Sequence, residues 1–111
     1  MIAYRACALQ FACYPINFCE DKESARAMIM EAIARVRALV PGAKNMGGAD
    51  MKLIVLPEYV LTNFSMGFPP DKWRDWAALD INGPEYDALA KIASDNGIYL
   101  VTNAYERDEH F

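Results

Sequence analysis

The sequence predicts an α/β fold built on a layer of parallel strands. Three observations lead there. Apolar runs near 4–14, 52–57 and 98–105 have strand length and strand composition. The stretches between them carry apolar residues at helical spacing. The resulting order is strand, helix, strand, short helix, helix, strand. That order favours neighbouring parallel strands joined by right-handed crossovers.

Residues 4–14, YRACALQFACY, place Ala6, Ala8 and Ala12 on one parity and Cys7, Leu9, Phe11 and Cys13 on the other. Both sides are largely apolar, which predicts a strand covered on both faces. Pro15 and Asn17 break it. Over 21–40, Ala25, Met28, Ile29, Ala32, Ile33, Val36, Leu39 and Val40 recur at three and four, with Arg26, Glu31, Arg35 and Arg37 between them. This is an amphipathic helix of about five turns. Pro41-Gly42 is expected to end it, leaving 43–50 as a flexible connector.

The second strand covers 52–57. Residues 59–82 read as an irregular aromatic segment with Pro69-Pro70 at its centre and a short helix over 71–77. Long loops after a strand often line sites. Gly83-Pro84-Glu85 opens the next helix, since proline suits the first helical position and an acid suits the first turn. Tyr86, Leu89, Ala90 and Ala93 form its expected apolar stripe, and Asn96-Gly97 closes it. Residues 98–105 form the third strand, and the charged run from Glu106 to Glu109 reads as a turn.

Size and charge narrow the function. A chain of 111 residues has the length of one small domain, here 1–111. The net charge of −4 argues against nucleic acid or an anionic membrane surface as partner, because both require a basic footprint. No cationic start leads into an apolar run, and no apolar stretch approaches the roughly 20 residues that span a bilayer. The expected location is the cytoplasm. Cys7, Cys13 and Cys19 lie six apart, far in sequence from the only histidine, His110. Zinc sites favour tight Cys-x-x-Cys pairs, so no metal is expected, and the thiols read as small buried side chains. Gly47-Gly48 precedes a strand, the reverse of the strand–glycine–helix order of a phosphate loop. A nucleotide-binding module is therefore the weakest reading.

The sharpest signal is LIVLPEYVLTNF, residues 53–64, where a strand runs into a proline and a carboxylate, Glu58. Pro-Glu-Tyr occurs again at 84–86, but there it opens a helix. Only the first copy sets a carboxylate at a strand's carboxyl end, where open α/β sheets place ligands. Such a charge can serve a structural ion pair or bind loop amides. It can also be a general base, with burial raising its pKa toward working range.

Three stretches together resemble the nitrilase superfamily, the carbon–nitrogen hydrolases: ACALQFACYP, LIVLPEY and INGPEYDALAKIASDNGIYLVTNAYERD. The resemblance runs from about Tyr4 to Arg107. It implies an αββα sandwich of four layers, of which this chain supplies the N-terminal half. It implies a Glu–Lys–Cys triad in which Glu58 is the general base, acting on an amide or nitrile without metal or organic cofactor. Homo-oligomers are also implied. In the family the lysine and cysteine lie beyond the third strand. Lys52, Lys72 and Lys91 do not match that lysine by position, and Cys7, Cys13 and Cys19 precede the glutamate. These residues alone are thus expected to be inactive and to expose a sheet face meant for burial. The alternative is a catalytically dead half-domain that acts by pairing with a partner chain.

Tyr59, Asn63 and Phe64 follow Glu58 and are the candidate substrate-binding residues, the other role for them being to pack the loop on the sheet. Trp73 and Trp76 are spaced for packing on one helical face. His110 is expected to be exposed.

Overall fold

The computed structural model describes residues 3–108 and residue 110. Its elements are β1 (Arg5–Ala8), α1 (Lys22–Gly47), β2 (Met51–Val55), α2 (Pro70–Ala77), α3 (Pro84–Asn96) and β3 (Tyr99–Val101), with a short 3-10 turn at Ile16–Phe18. The three strands form one parallel sheet in the order β1-β2-β3. The chain is an α/β domain of mixed helix and strand, as its pattern predicts.

Register explains how the sheet buries one face. Cys7, Ile54 and Leu100 are cross-strand partners, and Ile54 is fully buried. The rows on either side, Ala6–Leu53–Tyr99 and Ala8–Val55–Val101, point the other way. Helices α1 and α3 pack on each other and on the strands, so they cover the face that Ile54 occupies. Successive parallel crossovers of one hand in 1-2-3 order put their helices on the same side, leaving the other side open. There Tyr99 is 77% exposed, Val101 47% and Val55 37%.

Several expectations change here. The first strand is not covered on both faces: Cys7, Leu9, Phe11 and Cys13 pack against the core, whereas Ala6, Ala8 and Ala12 are exposed. Its ladder is also shorter than 4–14, although the Leu9 N–H still donates to the Val55 carbonyl at 2.9 Å. A bulge lets β2 gain a residue, Arg5 pairing with Met51 but Ala6 with Leu53, which leaves Lys52 outside the ladder and exposed.

The first helix does not stop at Pro41; it runs 26 residues, to Gly47. Proline lacks the N–H that would reach the Arg37 carbonyl. Both residues are exposed, so that carbonyl can bond water, and the loss is tolerated. Beyond it Ala43 packs against the core and the Lys44 ammonium donates to the Met51 carbonyl at 2.6 Å. The flexible connector is thus reduced to a tight turn after Gly48, whose φ of +76° glycine tolerates. At the other end Asp21 and Ser24 form a reciprocal capping box.

In α3 the buried apolar positions are Leu89 and Ile92, and the expected Ala90 is exposed. The buried stripe runs through Glu85, Leu89 and Ile92, so it is rotated away from Ala90 and centres beyond Leu89. The third strand ends at Val101, not 105. The chain then leaves the sheet and pairs again at Glu106, whose neighbours bracket Leu79: Leu79 N–H donates to the Tyr105 carbonyl and Arg107 N–H to the Leu79 carbonyl, both at 2.8 Å. The expected turn over 106–109 is therefore extended through that bridge, and Glu109 lies outside the described residues.

Candidate functional site

The carboxyl ends of all three strands converge. Leu9 N–H donates to Val55 and Leu56 N–H to Val101, each at 2.9 Å, so the chain after β2 is flanked on both sides. Pro57 then ends the ladder, since it has no N–H to donate. Glu58 follows at the end of the central strand.

Tyr59 adopts a left-handed backbone, φ +57°. For an aromatic residue this costs on the order of 1–3 kcal/mol and persists only where the surroundings enforce it. Here the Tyr59 N–H donates to Asn103 Oδ1 at 2.9 Å, and its carbonyl accepts from the Asn63 and Thr62 N–H groups at 2.8 and 3.3 Å. Val60, Leu61 and Thr62 are buried beneath this turn. Ile16 N–H donates to the Thr62 carbonyl at 3.1 Å, and the Asn17 amide donates to the Phe64 and Ser65 carbonyls. The segment after Glu58 is therefore an anchored loop.

Aromatic rings wall the loop. Tyr59 stacks on Tyr105 with centroids 6.2 Å apart and meets Phe64 edge-on at 6.0 Å. Trp73 meets both Tyr105 and Phe68 edge-on. A small cavity of about 160 Å³ lies among Tyr59, Thr62, Asn103, Ala104 and Tyr105.

Glu58 itself is exposed, which corrects the expectation of a desolvated carboxylate. The strand end lies at the rim of the sheet, and nothing among the described residues roofs it. The ion pairs among the described residues do not include Glu58, which leaves the structural ion-pair reading without support. Its charge is felt next door: it raises the Tyr59 phenol pKa, followed by Tyr105, burial and a hydrogen bond between the phenol and the Glu58 carboxylate.

The candidate substrate residues divide. Tyr59 and Phe64 stand together beside Glu58. Asn63, also left-handed at φ +62°, turns its Oδ1 back to accept the Phe64 N–H at 2.9 Å, a local structural bond. Sequence reading missed Asn103 and Tyr105. Both follow β3 at its carboxyl end, so the strand-end rule applied to Glu58 could have found them.

The other polar candidates are occupied elsewhere. Lys72 lies over the Phe68 and Trp76 rings, and Lys91 pairs with Asp95 at 3.0 Å. Trp73 and Trp76 are buried in the core. The three cysteines are unpaired and half-buried, and burial raises the pKa of Cys13 and Cys19. His110 is exposed, its N–H donating to Asp108 Oδ1 at 2.7 Å. Among the described residues no group of three His, Cys, Asp or Glu is placed to hold a metal ion, and no helix is long and apolar enough to cross a membrane.

Comparison with known proteins bears on the family of the chain. No curated protein and no solved structure matches the chain. A family model does, over residues 4–110, and its description is carbon–nitrogen hydrolase.

Proposed function

The chain belongs to the carbon–nitrogen hydrolase family, and from that premise we propose that Glu58 is the general base of a hydrolase acting on an amide or nitrile. One observation carries the assignment: Glu58 is the carboxylate at the carboxyl end of the central parallel strand, followed at once by a left-handed tyrosine and an anchored aromatic loop. Ligands of open α/β sheets sit at that end.

In this reading the carboxylate accepts the proton of a cysteine thiol. The thiolate attacks the substrate carbon. The carboxylic acid so formed gives its proton to the departing amine of an amide, leaving an acyl thioester, or to the nitrogen of a nitrile, leaving a thioimidate; either way the carboxylate is restored. A lysine stabilises the negative charge that develops on the substrate. Water, losing its proton to the same carboxylate, then adds to the acyl carbon (a thioimidate first exchanges its nitrogen for water oxygen and releases ammonia), and the proton passes to the departing sulfur to restore the thiol. Tyr59 and Phe64 form the substrate wall nearest the base, and Asn63 holds the loop that carries them. No residue here matches the lysine or the cysteine by position, so turnover requires both from another segment or chain.

The exposure of Glu58 fits that division of labour. A carboxylate gains basicity when water is excluded, and the missing parts of the site would supply the roof. The open apolar rows Ala6–Leu53–Tyr99 and Ala8–Val55–Val101 support the same picture. In a four-layer αββα arrangement a second sheet would pack on them at about 10 Å. The proposed setting is a cytoplasmic homo-oligomer.

The test is ammonia release from a panel of small amides and nitriles by the whole protein and by its Glu58→Gln variant. A loss of about 10²–10⁴-fold in kcat is expected for removal of a general base. Near-normal turnover in the variant would sink the assignment. The second reading, a half-domain that acts by pairing, draws on the same open face. It predicts no ammonia release under any condition, together with stable association with a second chain.

A further inference from the structure

The Glu58 assignment leaves open how an exposed carboxylate is aimed. Resting on the reading of Glu58 as the base, we propose that Asn103 is its positioning residue, acting through the peptide unit that joins Glu58 to Tyr59.

The Tyr59 N–H belongs to that peptide unit, and the unit is planar. Holding the N–H in one direction fixes the plane, and the Glu58 Cα, from which the side chain departs, lies in that plane. Asn103 Oδ1 accepts this N–H at 2.9 Å from a residue 44 positions away. The other holds on the Tyr59 backbone, from Thr62 and Asn63, come from its own loop and act on its carbonyl. Asn103 is thus the described contact that ties the 58–59 peptide to a neighbouring strand. It stands two residues past Val101, whose carbonyl accepts the Leu56 N–H, so β2 and β3 are in register immediately before the contact.

The side-chain type fits the task. The donor is an N–H, so the partner must be an acceptor. A left-handed Tyr59 is disfavoured without an external hold. An amide oxygen supplies that hold without adding a second negative charge beside Glu58. The tyrosine reports the outcome: the Glu58 charge raises its phenol pKa, and its ring stacks on Tyr105, also beyond β3.

The experiment reads position without needing turnover. The ring carbon of Tyr59 bearing the hydroxyl is followed by NMR titration in the 111-residue chain, with Tyr59→Phe identifying the signal. The part of its pKa elevation that disappears in Glu58→Gln measures the contact between the two side chains. The same difference is then measured with Asn103→Ala and with Asn103→Asp. Asn103→Ala should lose most of it. Asn103→Asp should retain it, because the acceptor remains and the added charge cancels in the difference. Full retention in a folded Asn103→Ala variant overturns the proposal. If Asn103→Ala does not fold, amide exchange in the unaltered chain decides. A Tyr59 N–H exchanging about tenfold slower than an unbonded loop amide supports the contact, and exchange at the unbonded rate overturns it. Loss of turnover in Glu58→Gln tests the base separately, so either idea can fail alone.

Discussion

Arg26 of α1 faces Glu85 of α3 at 3.5 Å, and Glu85 is the buried partner, 7% exposed. The two Pro-Glu-Tyr copies thus divide their roles in an unexpected way. The helix-opening copy carries the buried charge, and the strand-ending copy carries the exposed one. Burial is tolerated at 85 because the carboxylate sits in the first turn of α3 and meets a guanidinium that also donates to the Ala78 carbonyl.

Removing Glu85 should therefore cost more stability than removing Glu58. Glu85→Ala leaves Arg26 without its carboxylate, and a loss of about 1–3 kcal/mol is expected in urea unfolding. Glu58→Gln should leave the urea midpoint unchanged. A Glu85→Ala midpoint equal to that of the unaltered chain would show that the α1–α3 contact stands on apolar packing alone.

Pro41 offers a stabilising change. It lies on the exposed side of α1, where alanine would restore the missing hydrogen bond to Arg37 without new contacts. Pro41→Ala should raise unfolding free energy by about 1–3 kcal/mol. Stronger helical circular dichroism should accompany it.

The Asp21 carboxyl is held below its ordinary value of 3.8, chiefly by the Ser24 N–H and then by the Ser24 hydroxyl. Its folded pKa is depressed, so the cap contributes fully above the unfolded value and is lost as pH falls through the lowered one. Asp75, lowered first by its hydrogen bond from Lys22, acts in the same direction. Melting curves from pH 7 to pH 2 should thus fall less steeply in Asp21→Asn, which keeps a capping oxygen but does not titrate. Parallel curves would assign the acid sensitivity to other carboxylates.

The open sheet face should be adhesive. Val55, Tyr99 and Val101 form an exposed apolar surface on parallel strands. Concentration-dependent sedimentation is expected, and Val55→Lys with Val101→Lys should reduce it. Since both side chains are partly exposed, each change should alter stability by under about 0.5 kcal/mol. Unchanged association in the double variant would place the contact elsewhere.

What was legible in the sequence was local. Apolar spacing marked α1, Gly83-Pro84 and Asn96-Gly97 marked both ends of α3, and the strand–Pro–Glu order marked Glu58, because periodicity and turn chemistry act over a few residues. Tertiary structure decided whatever depends on neighbours far along the chain. It carried α1 past Pro41, since the lost bond faces water and the Lys44 anchor lies beyond. It chose which glutamate is buried, because Arg26 comes from another helix. It left one sheet face bare, because both crossovers turn the same way. It also brought Asn103 to Tyr59, a contact that exists only once Val55 and Val101 are in register. Register is a property of paired strands, so no single stretch of sequence contains it.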